Sequence, residues 1–250
     1  MRNSHNIPWK RISIEAATIV GSILLAFAID AWWNNRLVSV EEEAILTSLR
    51  LETQTVIQSL DETMIYVSAI KASTQRMIRA SVDTENEISD DEIDGFFNDV
   101  LWHIDPAVMS APVIESLVNS GDMAIISNGE LRRLLGSFMI NWAGFRAAMR
   151  LESEYYNHTL IPYVQKHTSM AQLYSLESYW PGDPDRAYPP FDMVALKSTI
   201  SHREILESRE LQNILLHRNM TMAGILAWRK SDIRQQLQTI IGLIEHELED

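Results

Sequence analysis

Residues 12–33 read ISIEAATIVGSILLAFAIDAWW, and the central run over residues 16–29, AATIVGSILLAFAI, carries no charge. As a helix rising about 1.5 Å per residue, the 22-residue segment reaches roughly 33 Å, enough to cross a hydrocarbon core of about 30 Å. The uncharged run alone falls short of that thickness. Glu15 and Asp30 are therefore expected near the two interfaces, not at the midplane. Two readings of this pair stand. They make polar contacts between neighbouring spans, helped by the small-residue spacing Ala17-x-x-x-Gly21, or they are interfacial carboxylates in contact with water.

The flanks give the segment a direction. Trp9 precedes it and Trp32–Trp33 closes it, as expected of rings that favour the headgroup level. Arg2, Lys10 and Arg11 stand before the span, whereas Arg36 stands almost alone after it, ahead of Glu41, Glu42 and Glu43. The positive-inside bias predicts a cytoplasmic N-terminus (1–11), a transmembrane helix (12–33) and an extracytoplasmic, periplasmic domain (34–250). The predicted membrane-interface residues are Trp9, Lys10, Arg11, Trp32, Trp33 and Arg36. Two rivals share these features: a cleaved signal peptide ending near Ala26-Phe27-Ala28, and a buried helix of a soluble protein. Glu15 at the start of the apolar run and the Trp pair just after the cut both favour the anchor.

Composition bounds the remainder. The 250-residue chain is 46% hydrophobic, which supports a packed core, and has no cysteine, so disulfides and thiol chemistry are excluded. Of the net charge of −13, residues 1–36 hold +2, leaving −15 on the rest. A domain that acidic disfavours nucleic acid and anionic lipid surfaces.

Between Gly21 and Gly95 there is no glycine or proline, so one helix is expected to continue from the span into the domain. Leu46, Leu49, Thr53, Val56, Leu60, Met64, Val67, Ile70 and Met77 recur three or four apart, mostly, as a stripe of coiled-coil type. Residues 82–87 read as a polar loop. Ser89 and Glu92 have capping-box spacing ahead of a short helix that Asp105-Pro106 ends. Pro112 suits the first turn of another short helix, and Gly121 its close. Ser127 with Glu130 forms a second capping-box candidate. The helix it opens has a stripe at Leu131, Leu135, Phe138, Trp142, Phe145, Met149, Tyr156, Leu160 and Tyr163, which Pro162 kinks or ends. Ser201 with Glu204 opens the final helix, striped at Leu211, Leu215, Met222, Ile225, Ile233, Leu237, Ile240, Ile244 and Leu248, with Arg218 and Arg229 interrupting it. The expected fold is all-α: a transmembrane helix continuing into an elongated antiparallel bundle. The first long helix leads away from the membrane, the second returns or crosses, and the last lies parallel to one of them. Stripes this narrow also suit closure against a second copy.

Two patches stand out as motifs. The first is Glu15…Ile19-Val20-Gly21…Leu24-Leu25-Ala26…Asp30-x-Trp32-Trp33…Arg36. The second runs from Ile114-Glu115-Ser116-Leu117 through Ser120-Gly121-Asp122 to Asn128-x-Glu130-Leu131-Arg132. Together they resemble a family of uncharacterised bacterial single-pass membrane proteins with an extracytoplasmic helical domain of unknown function, a resemblance that implies a bacterial inner-membrane protein and brings no activity.

No enzymatic signature is present. The seven histidines include no HExxH, and His103, Asp105 and His158 form at most a candidate metal cluster if the fold unites them. Asp90, Asp91, Glu92 and Asp94 lack the glycine of a calcium loop and suit a helix N-terminus. Nothing calls for a cofactor. Residues 168–191 contain Tyr174, Tyr179, Trp180, Tyr188 and Phe191 among prolines. They read as an ordered aromatic loop that either binds a partner or folds over the core. The expected function is non-enzymatic: a periplasmic bundle making protein–protein contacts, including self-assembly, with the lipid bilayer and a homo-oligomer or membrane complex as partners. The alternatives are a ligand-sensing module acting through a membrane partner and a subunit of a channel-like assembly.

Overall fold

The computed structural model describes residues 9–83, 88–102, 110–170, 173, 178–180, 183–188, 202–231 and 233–249. The fold is all-α. Helix α1 runs unbroken over Trp9–Val82, 74 residues, or roughly 110 Å at the usual rise. The absence of glycine and proline after Gly21 is the local reason it never breaks.

Short elements follow. Helix α2 (Asp90–Val100) opens with the expected capping box, Ser89 accepting from the Glu92 amide while the Glu92 carboxylate accepts from Ser89 N–H. Helix α3 (Pro112–Ser120) starts on Pro112 and closes on Gly121, whose φ of 87° is the left-handed conformation that favours glycine. A 3₁₀ turn, Asp122–Ile125, leads to α4 (Gly129–Tyr155). Its cap is Asn128, not Ser127: Asn128 Oδ1 accepts from the amides of Glu130 and Leu131, 2.9 Å each. Ser127 N–H instead donates to Glu42 at 2.5 Å. Asparagine caps as well as serine, and α1 had already recruited the neighbouring amide.

The helical run continues through Pro162, but not as one regular α-helix. A π-turn, Tyr156–Leu160, precedes α5 (Ile161–His167), and Ile161 N–H bonds back to Tyr156 O. The widened turn absorbs the hydrogen bond that proline cannot make. The aromatic segment contains a small antiparallel hairpin, β1 (Ser178–Trp180) with β2 (Asp183–Tyr188), where an ordered loop was expected. The final helical stretch is divided into α6 (His202–Glu207), α7 (Arg209–Ser231) and α8 (Ile233–Glu249). Ser208 makes the first division, its hydroxyl accepting from Leu211 N–H as a new cap. Ser201 lies outside the described residues.

Cross-links fix the topology. Gln212 at the start of α7 reaches the Ser81 carbonyl at the far end of α1, and Arg234 of α8 forks onto Asp61 midway along α1. Asn128 meets Glu247, Asn141 meets Gln236, and Glu152 meets Arg218. Thus α7–α8 runs antiparallel to both α1 and α4, while α4 runs parallel to α1. The expected return of the second long helix is corrected. The short helices α2 and α3 bring the chain back to the start of the bundle before α4 begins, and Glu52 secures that return by accepting from the Val113 and Ile114 amides.

All nine predicted α1 stripe residues are buried, as are those of α4 and the following turn. The stripes close on one another within a single chain. The core has two clusters. The nearer one joins α1, α3, α4, α7 and α8 around Leu49, Leu60, Phe138, Trp142 and Ile240. The farther one joins the end of α1 to α2, α5, α6 and the start of α7 around Met77, Phe97, Leu160 and Leu206.

Candidate membrane anchor and assembly surfaces

The bundle begins near Leu46. Before it, α1 projects alone, and Ile19, Val20, Ile23, Leu24, Leu25, Phe27, Ile29, Trp32 and Trp33 are between 49% and 67% exposed. Among the described residues nothing packs against this apolar segment, and it is long enough to cross a membrane. Being unburied, it differs from the core helix of a soluble domain. The polar side chains are managed locally. Ser22 Oγ donates to the Thr18 carbonyl at 2.8 Å, and Asn34 donates to Asp30 at 3.4 Å, one turn on. Trp32 and Trp33 lie beside this pair, with ring centroids 6.2 Å apart.

The sequence-predicted positions thus fall on one helix. Trp9, Lys10 and Arg11 form its first turn, and Glu15, Ala17, Gly21, Asp30, Trp32, Trp33 and Arg36 follow along it. A methyl group added at Gly21 would meet no other atom, so the small-residue face of the span is open to a neighbour. The aromatic set is divided. Tyr179 and Trp180 lie on β1 and Tyr188 on β2, with Tyr179 paired to Ala187, whereas Tyr174 and Phe191 lie outside the described residues. Among the described residues no three His, Asp or Glu side chains converge to hold a metal ion. His103 and Asp105 lie outside the described residues, and His158 is exposed on the π-turn.

Where the bundle meets the anchor, α1 and α3 part to leave an open groove of about 510 Å³. Ala44, Ile45, Val113 and Leu117 supply its apolar wall, with Glu41 and Asp122 among the lining residues.

A buried polar centre joins the two core clusters. Arg218, fully buried, donates through Nε to Glu152 at 3.0 Å and through its terminal nitrogens to the carbonyls of Val100 and Trp102. Its guanidinium carbon lies 5.2 Å from the centre of the Tyr156 ring, and the Tyr156 hydroxyl takes the Leu101 carbonyl at 2.5 Å. The carbonyls of Val100, Leu101 and Trp102, at and just past the end of α2, are therefore all bonded, and the cation sits at the negative end of that helix. Burial pulls the guanidinium below its ordinary pKa, opposed chiefly by Glu152. A second buried pair, His202 Nδ1 with Asp94 Oδ1 at 3.0 Å, fastens α6 to α2. Arg218 was legible as an interruption of a stripe. Its partner was missed, although Glu152 occupies the stripe position between Met149 and Tyr156.

No family model, curated protein or solved structure matches the chain.

Proposed function

We propose that this chain is a non-enzymatic, single-pass inner-membrane protein whose helical bundle lies in the periplasm and makes protein–protein contacts, including self-assembly. The observation that carries the reading is the continuity of α1, whose exposed apolar segment and buried bundle stripe share one unbroken helix. Any tilt or displacement of the span is thereby coupled to the core. The basic residues before the span and the acidic ones after it support the orientation. The test is alkaline extraction of membranes combined with protease added to spheroplasts. Retention in the pellet, digestion of the C-terminal portion and survival of an N-terminal tag are expected. Release by alkali, or protection of the C-terminus, would overturn the anchor or its direction.

The groove between α1 and α3 favours a second reading, a ligand-sensing module acting through a membrane partner. Its volume is within the range of small-molecule sites, about 300–1,000 Å³, and it lies beside the base of the stalk. A thermal-shift screen in which no small apolar compound raises the melting temperature would remove this reading.

A further inference from the structure

We infer that the outer face formed by α4 and α7 is a self-association surface, on which a second copy of this chain packs side by side in the same membrane. The inference rests on the membrane-anchored, assembling reading above and identifies the face and the occupant.

The starting point is charge. From Leu211 to Ala227 the only Asp, Glu, Lys or Arg is Arg218, and it points inward and is fully buried. The solvent side of α7 therefore presents no formal charge over more than four turns, in a chain with a net charge of −13. That side carries Leu216 at 48% exposure and Met220 at 73%, followed by exposed Ala223, Gly224 and Ala227. Adjacent α4 continues the surface with Ile140 at 75% and Leu151 at 65%, and with exposed Ala143 and Ala147 between them. Exposed Arg150 and Glu154, each two turns on from Ala143 and Ala147, edge this surface at its far end, and Arg146, one turn before Arg150, pairs with Glu115 of α3. The two stripes border each other across the Tyr155–His217 ring contact at 4.0 Å. A methyl group added at Gly224 would meet nothing, so this part of the face is flat and open to close helix approach.

Two arguments select a second copy as the occupant. A basic partner would be drawn to exposed acids, whereas an acidic chain approaches its own copy at least cost through the face where charge is scarcest, here centred on α7. Geometry supplies the other. Because α1 is one helix from span to bundle, each copy in a bilayer carries this face at the same height. A two-fold axis along the membrane normal then brings the faces together in register. The face measures roughly 20 Å by 20 Å, from the rise of the helices and their packing distance. That is about 400 Å² per copy, near half of the usual 800 Å². Confinement to one membrane raises the effective concentration and offsets the shortfall.

Since the chain has no cysteine, single-cysteine variants of the full-length protein report directly on contact. Met220→Cys in native membranes, treated with a mild oxidant, is expected to give a covalent dimer, and Ala72→Cys on the exposed side of α1 is expected to give none. Adding Ala147→Glu to Met220→Cys should lower the dimer yield by more than about tenfold, because like charges across an interface cost several kcal/mol. Circular dichroism of that variant should match the parent, since Ala147 is exposed. Equal cross-linking at Ala72, or no effect of Ala147→Glu, would overturn the inference. If Met220→Cys fails while single-molecule photobleaching of the unaltered protein shows oligomers, the face is wrong and the assembly reading survives. Single-step bleaching with no cross-link at either site would sink both.

Discussion

Replacing Arg218 with methionine should be among the most damaging single changes to the bundle, and the structure sets its size. The change leaves the Glu152 carboxylate in a site where the side chain is 1% exposed, with its cation gone. Breaking a buried ion pair from one side costs about 3–5 kcal/mol. The Val100 and Trp102 carbonyls also lose their donors, which adds about 1 kcal/mol each at the low end for such groups. The total, about 5 kcal/mol or more, is a large share of the 5–15 kcal/mol typical of a folded domain. Adding Glu152→Leu removes the stranded charge but restores neither carbonyl. The double variant should therefore recover about 3 kcal/mol and remain about 2 kcal/mol below the parent. Urea unfolding of the full chain in mild detergent, followed by far-UV circular dichroism, measures all four corners of this cycle. If the double variant is no more stable than Arg218→Met alone, the stranded Glu152 carboxylate is not what the single change costs and the reasoning fails. A cost below about 1 kcal/mol for the single change would also refute it.

Asp94→Ala strips the buried His202 of its partner on α2 and should cost about 2 kcal/mol. In a chain of this size that lowers the melting temperature by about 4–8 °C, read by thermal denaturation. Gly121→Ala forces a side chain into the left-handed conformation that closes α3 and should cost about 1–2 kcal/mol, visible as a lower urea midpoint. Leu24→Arg, near the middle of the span, should weaken insertion by about 3 kcal/mol or more and shift the protein into the alkali-soluble fraction. Burial raises the Asp99 carboxyl above its ordinary 3.8, against the lowering effects of the Ser73 hydrogen bond and the Arg76 charge. A carboxyl raised in the folded state favours folding most below 3.8 and loses that contribution as pH climbs above it. Asp99→Asn should flatten this limb of the stability–pH curve, a small effect because the side chain is 46% exposed.

The sequence was most informative where a pattern repeats and least where one residue depends on a distant one. The α1 and α4 stripes became core residue for residue, because helical periodicity selects the inward face before any partner is specified. The Ser89 box and Gly121 were legible because caps are local chemistry. The direction of α4 was not. It depends on Glu42 and Glu52 of α1 capturing amides far along the chain, and no local rule announces such partners. Ser127 fails as the cap for the same reason. Among the candidate site residues, the long apolar stretch of α1 could be read from hydropathy. The α4–α7 face could not, since its apolar residues become conspicuous only once the inward side of each helix is known.

The interruptions in the two stripes are informative together. Considered alone, Arg218 weakens the case for a continuous apolar face on the last helix, and the Glu152 position leaves a gap in α4. In the bundle they are partners at the junction between the two core clusters. An apolar pair at this level would pack equally well in many registers, because leucine and isoleucine accept one another at any height along a helix. A single buried cation bonded to Glu152, Val100 and Trp102 accepts only one. The centre therefore adds to the register that Asn141–Gln236 and Asn128–Glu247 give the last helices against α4, and it holds the end of α2 to both. In the proposed membrane-anchored arrangement the same register would fix how far Met220 and Leu216 stand above the bilayer. It also sets which turn of α4 lies beside them. This makes a testable link between core and surface: Arg218→Met combined with Met220→Cys should spread cross-linking among cysteines placed one turn above and below, and confinement of the product to the parent position would break that link.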